Sequence, residues 1–174
     1  MSLDPQANEI LKEGASSGLP PVYTLNIEKA RARMHNSFIN TGIKEEIESI
    51  KDFTIPCPGY RIGARVYSPT PDKKQACLLF FHGGGWVLND LETHDYLCKS
   101  IAKKVEIVVI SIDYRLSPEN KYPAAIEDAY TAFIWTYLNA NLLNIDTNKI
   151  AVGGDSSGGT QAAVCLPLCG PVRR

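Results

Sequence analysis

The sequence is poor in the residues that build metal centres and disulfide frameworks. It has three histidines, His35, His82 and His94, and five cysteines, Cys57, Cys77, Cys98, Cys165 and Cys169. The cysteines are odd in number, form no C-x-x-C pair and have no histidine-rich stretch beside them. That excludes a disulfide scaffold and a zinc site, and points to reduced thiols in a cytoplasmic setting. No charge of one sign dominates. With 18 basic against 19 acidic residues the net charge is −1, which gives no electrostatic case for nucleic acid or an anionic membrane. No stretch approaches the roughly 18 apolar residues of a membrane span. The start, Met1-Ser2-Leu3-Asp4-Pro5, lacks the basic and apolar regions of a signal peptide. Thirteen glycines and eleven prolines are too few for a low-complexity or collagen-like chain. What is present is an ordinary globular composition, 44% hydrophobic and 21% charged over 174 residues. That excludes a disordered chain and fits one domain with a small appendage.

Residues 1–42 read as polar and helical. After Pro20-Pro21, Thr24 is placed to cap a helix carrying Ile27, Ala30, Met34 and Phe38 on one stripe, with Gly42 as its stop. A hairpin follows. Phe53, Ile55 and Cys57 alternate with polar residues, Pro58-Gly59 turns the chain, and Tyr60, Ile62, Ala64 and Val66 alternate back. The pattern then changes. Cys77–Phe81, Ile107–Ile112 and the shorter Ile150–Val152 are unbroken apolar runs, which read as strands buried on both faces of a parallel sheet. Leu97 and Ile101 mark a helix between the first two. Ile126, Ala129, Tyr130, Phe133, Ile134, Tyr137 and Leu138 mark a second, with Pro123 at its start. Strand, helix, strand, helix, strand predicts βαβ units.

Two glycine motifs sit at the carboxyl ends of these runs, where open α/β sheets place their sites. Gly154-x-Ser156-x-Gly158 fits a nucleophile elbow: a serine on a tight strand-to-helix turn, with flanking glycines removing the Cβ atoms that would clash. Three fixed positions of this kind arise by chance in roughly 6% of chains of this length, so the strand before and helix after it carry the weight. His82-Gly83-Gly84-Gly85-Trp86 is rarer, on the order of one chance occurrence in a thousand chains. Three glycines there expose backbone N–H groups to a developing negative charge. Neither loop has the lysine of a G-x-x-x-x-G-K-[ST] loop or the G-x-G-x-x-G spacing, which argues against nucleotide binding.

On these residues the chain resembles the hormone-sensitive-lipase-like group of α/β-hydrolase carboxylesterases. The resemblance rests on His82-Gly83-Gly84-Gly85, on Asp113-Tyr114-Arg115-Leu116-Ser117-Pro118-Glu119 with Pro123-Ala124-Ala125 and Asp128, and on Gly154-Asp155-Ser156-Ser157-Gly158-Gly159. It implies an α/β fold: the amino-terminal part of the hydrolase sheet, an antiparallel hairpin then parallel strands with flanking helices. The carboxyl-terminal strands and helices would be missing. It implies a helical cap segment at 1–45 and an incomplete core at 46–174. Ser156 matches the nucleophile. Gly83, Gly84 and Gly85 match the oxyanion donors together with the backbone N–H of Ser157, which stands where alanine is usual. His82, Gly154, Asp155 and Gly158 support the motifs, His82 as a loop-shaping residue. Arg115 and Asp128 match an ion pair. No metal or cofactor is implied, and the substrate class is small acyl esters, as for a serine esterase or lipase.

A serine hydroxyl needs a base, and the base a carboxylate. In α/β-hydrolases these follow the serine in the order acid, then histidine. Residues 157–174 contain no Asp, Glu or His. His35 lies on a polar helix, His94 reads as exposed near a helix start, and His82 belongs to the oxyanion turn, so none reads as the base. Pro167 and Gly170-Pro171 are expected to break the last helix, and the family pattern is read to stop near Val164. The expectation is a frame shift or interruption near codon 165, an amino-terminal fragment, and an exposed strand before Ser156 that self-associates. The chain is therefore read as an esterase of short-chain acyl esters by ancestry and inactive by itself. The alternative is a ligand-binding protein without hydrolysis, like the plant gibberellin receptors that share the resemblance. A third reading is an interaction module pairing its open edge with another chain.

Overall fold

A computed structural model of the chain describes residues 3–38 and 45–168. Gly42 and Cys169 lie outside the described residues. The elements are α1 (Pro5–Ser16), a 3₁₀ turn (Val22–Thr24), α2 (Ile27–Phe38), β1 (Ser49–Cys57), β2 (Tyr60–Ser68), β3 (Gln75–Phe81), α3 (Asp95–Val105), β4 (Val108–Asp113), α4 (Ala124–Leu138), β5 (Ile145–Gly154) and α5 (Ser157–Leu168). The sheet order is β1-β2-β4-β3-β5.

The hairpin forms as the alternation predicts. Cys57 pairs with Tyr60 across Pro58-Gly59, Gly59 takes φ +81°, and Ile62, Ala64 and Val66 are buried. β2 pairs antiparallel with β4, whereas β4, β3 and β5 run parallel. β3 and β4 are central because their sequences are apolar on both faces. Leu79, Phe81, Ile110 and Ile112 face α4 and α5; Phe80 and Val109 face α3 with Cys98, Ala102 and Tyr67. Burying each such side chain fully is worth about 1.5–3 kcal/mol. Burial also raises the thiols of Cys77 and Cys98, the latter to about 12. β5 is an edge strand of the five-stranded sheet.

Four local expectations are corrected. The cap of α2 is Asn26, whose Oδ1 accepts the Lys29 N–H at 2.9 Å; Thr24 ends the 3₁₀ turn instead. In α3 the buried positions are Cys98, Ser100 and Ala102, while Leu97 stays exposed. In α4 Ala129 and Phe133 are buried as expected and Tyr130 and Ile134 pack against the core, but Ala124, Ala125, Asp128, Ala132 and Thr136 complete the buried face and Leu138 is 75% exposed. In α3 small residues take the sheet-facing positions, which lets its axis approach β4 and β2, and in α4 they line the face packed toward α5. The fourth concerns α5, which continues through Pro167 to Leu168. A proline one residue from a helix end removes a single i→i−4 bond, which a helix already paired along its length can lose.

Among the described residues no helix is long and apolar enough to cross a membrane.

Candidate active site

β5 delivers the chain to the site and α5 takes it away. Between them Ser156 has φ +50°, left-handed for a residue that carries a side chain. Such a conformation persists only where the surroundings hold it. They do: a Cβ on Gly158 would overlap the Phe81 carbonyl oxygen, and one on Gly154 would meet that oxygen and the Gly158 backbone. Both glycines are required because the end of β3 passes directly behind the turn. Ser156 is thereby lifted out and exposed.

The loop after β3 forms the facing wall. Gly84, Gly85 and Trp86 take φ values of +120°, +63° and +60° in succession, and the Gly84 carbonyl accepts the Val87 and Leu88 N–H groups at 3.1 and 2.9 Å. A Cβ at Gly84 would collide with the Leu88 carbonyl. Two long-range bonds join loop to elbow. Gly83 N–H donates to Asp155 Oδ1 at 2.9 Å, and Gly85 N–H donates to Ser157 Oγ at 3.0 Å. The Gly83 N–H thus meets the Asp155 carboxylate and the Gly85 N–H the Ser157 hydroxyl, and either amide has to part from its acceptor before it can receive an oxyanion.

His82 is fully buried, and its Nδ1 donates to the Gly83 carbonyl at 2.8 Å. Tyr114 stacks on it with ring centroids 4.4 Å apart and donates its hydroxyl to the His82 carbonyl at 2.7 Å. Burial pushes the imidazole down to about 4, so it is a neutral strut of the loop. His94 is not exposed, contrary to the sequence reading. It is 9% accessible, its Nδ1 meets Thr93 Oγ1 at 2.9 Å, and its Nε2 lies 3.2 Å from Asp155 Oδ1. His35 Nδ1 pairs with Asp90 Oδ2 at 2.6 Å. All three imidazoles are thus occupied away from Ser156, and among the described residues none is hydrogen-bonded to its hydroxyl. The links from Asp155 to Gly83 and His94 span 72 and 61 positions of chain, and no local pattern signals them.

Two salt bridges brace the surroundings. Arg115 donates from its backbone N–H to Asp128 Oδ2 at 2.8 Å, from Nε to both carboxylate oxygens at 3.0 Å, and from Nη2 to Oδ1 at 2.8 Å. Its guanidinium lies 3.8 Å above the Tyr60 ring. Arg31 of α2 ties the segment after the glycine loop to the segment after β4. Its Nε donates to Val87 O at 2.8 Å, and its Nη2 to Ser117 O at 2.9 Å and Glu119 Oε2 at 2.8 Å. Sequence alone did not single out Arg31. A cavity of about 580 Å³ opens beside the Gly85 loop, lined mainly by apolar groups of Trp86, Val87, Tyr122, Ile126 and Val164.

A left-handed serine at a strand-to-helix turn beside a glycine-rich loop is the arrangement of a nucleophile elbow. The comparisons agree with that class. The profile of the family described as "alpha/beta hydrolase fold" matches residues 78–170, six residues beyond the Val164 at which the sequence reading stopped it. Carboxylic ester hydrolase LipN of Mycobacterium tuberculosis is 47% identical over 120 residues, 68% of this chain and 32% of LipN. Ethyl acetate hydrolase of Pseudomonas putida is 34% identical over 173 residues, 94% of this chain and 54% of that protein. Among solved structures, the hyperthermophilic esterase of Pyrobaculum calidifontis superposes with a TM-score of 0.89 at 38% identity, covering 99% of this chain and 55% of that one. The chain belongs to the α/β-hydrolase fold family, in its hormone-sensitive-lipase-like carboxylesterase group. It spans about a third to a half of the length of the curated relatives it matches.

Proposed function

We propose that the chain carries the nucleophile and oxyanion part of a carboxylic ester hydrolase site acting on small, short-chain acyl esters. Ser156 is the nucleophile, and the backbone N–H groups of Gly84, Gly85 and Ser157 are the donors that receive the carbonyl oxygen as it becomes an oxyanion. The observation that carries this reading is the left-handed Ser156 at the β5–α5 turn, opposite a loop with three successive positive-φ residues. The apolar cavity beside Gly85 is suited to the carbon groups of a small ester, and the name of the Pseudomonas putida relative supports the short acyl class. Residues 1–45 act as a cap segment, a role supported by the Arg31 clamp, and 46–174 as core. The five cysteines, odd in number and without a C-x-x-C pair, support a cytoplasmic setting.

By itself the 174-residue chain turns over esters slowly, because no imidazole is placed to take the Ser156 proton. The test is hydrolysis of p-nitrophenyl acetate by the chain and by Ser156→Ala. The expected result is a rate far below that of an ordinary esterase. An ordinary esterase rate that disappears in Ser156→Ala refutes the inactivity. Saturable binding of a ligand without turnover, unaffected by Ser156→Ala, supports the non-hydrolytic reading instead.

A further inference from the structure

The hydroxyl of Ser157 occupies a place that an alanine side chain leaves empty. Ser157 is 5% accessible, and its Oγ lies 3.0 Å from the Gly85 nitrogen as the acceptor of that N–H. Gly85 is one of the amides assigned to the oxyanion, and a hydroxyl already on its N–H competes with any oxyanion for the same proton. One helical turn on, Gln161 is fully buried, no hydrogen bond of good geometry meets its amide, and the Tyr114 hydroxyl lies within reach of both Gln161 and Ser157. Gln161 lies on the same face of α5 as Ser157, at the i+4 position. The Tyr114 hydroxyl and the Gln161 amide together offer the Ser157 hydroxyl internal partners once it leaves Gly85.

We propose that the Ser157 side chain is a plug in the oxyanion hole, a positioning residue that sets how readily the Gly85 amide accepts the developing charge. In the closed arrangement Oγ accepts from Gly85 and the hole has one donor fewer. In the open arrangement the hydroxyl turns toward Gln161 and the amide faces the substrate. The proposal rests on the reading of Gly84 and Gly85 as oxyanion donors. Replacing Ser157 by alanine deletes the competitor and leaves the backbone N–H of residue 157 in place.

Phenylboronic acid is the probe. Ser156 Oγ adds to its trigonal boron, the serine proton passes to solvent, and the tetrahedral boronate places one oxygen in the hole. No acid–base partner is needed for this equilibrium. Affinity is measured on the 174-residue chain, on Ser157→Ala and on Ser156→Ala, with hydrogen exchange of the Gly85 amide followed in the absence of probe. The expected result is boronate binding about fivefold to tenfold tighter in Ser157→Ala, the effect of one internal hydrogen bond no longer broken on binding. Gly85 exchange should be about tenfold faster in that variant. Equal or weaker boronate affinity in Ser157→Ala overturns the plug, and so does unchanged Gly85 exchange. If the chain and Ser156→Ala bind boronate equally, Ser156 is not the nucleophile and the proposed function fails. The Gly85 exchange comparison still decides the Ser157 contact in that case.

Discussion

Replacing Asp128 by asparagine tests the brace that carries the chain from β4 into α4. The carboxylate is fully buried and accepts from three donors of one residue: the Arg115 backbone N–H, Nε and Nη2, at 2.8–3.0 Å. Asparagine keeps the shape but loses the charge, and it turns an NH₂ group toward at least one of those donors. Breaking a buried ion pair from one side costs about 3–5 kcal/mol. The lower end applies here. The Arg115 side chain keeps 23% of its surface in water, and it retains the Tyr60 hydroxyl at 3.0 Å and the Tyr60 ring beneath it. The expected loss is about 3 kcal/mol, a large share of the roughly 5–15 kcal/mol that holds a domain together. In urea melts followed by far-UV circular dichroism, that lowers the midpoint by about 1–3 M at an unchanged slope. Asp146→Asn, at a surface carboxylate, serves as the control and moves it little. A loss below about 1 kcal/mol for Asp128→Asn refutes the reasoning, since Tyr60 and solvent would then be holding Arg115 unaided.

Gly158→Ala places a Cβ against the Phe81 carbonyl, so α5 must move off β3. A loss of about 1–3 kcal/mol is expected, read as a fall of several degrees in the thermal midpoint; an unchanged midpoint rules out the close approach. His82 has an ordinary value of 6.5 and is pushed to about 4 by burial, so between those values the unfolded chain binds a proton that the folded chain refuses. Stability is therefore complete above about pH 6.5 and falls by about 3 kcal/mol as pH drops toward 4; a pH profile that His82→Gln leaves unchanged would contradict this. The β5 edge exposes Ala151. We expect concentration-dependent association in sedimentation velocity that Ala151→Lys reduces, and equal association of both chains would remove β5 from the explanation.

How far the sequence reaches follows from the range of the forces involved. The hairpin was legible in the alternation from Phe53 to Val66, and β3 and β4 in unbroken apolar runs, because strand placement is settled by burial that neighbouring residues share. β5 was legible only in part. Its polar beginning, Asp146–Lys149, carries no strand signal and stands out of register between the Ile145–Gln75 and Ile150–Cys77 pairs with β3. Large apolar residues such as Leu97 and Leu138 pointed to the wrong faces of their helices, because what fits against a sheet depends on the distance of approach, which no periodicity contains.

The elbow and the glycine loop were written in the sequence, since each is a local conformation that only particular residues can adopt. Ser156 on its left-handed turn and Gly84 at φ +120° are of this kind. What each amide of that loop does was decided by the tertiary structure. Bringing β5 beside β3 set the Asp155 carboxylate on the Gly83 N–H and the Ser157 hydroxyl on that of Gly85, and buried His94 against Asp155. Those contacts join residues more than 60 positions apart, and a hydrogen bond acts only over about 3 Å. Which acceptor each N–H of the loop meets therefore follows from how the strands pack.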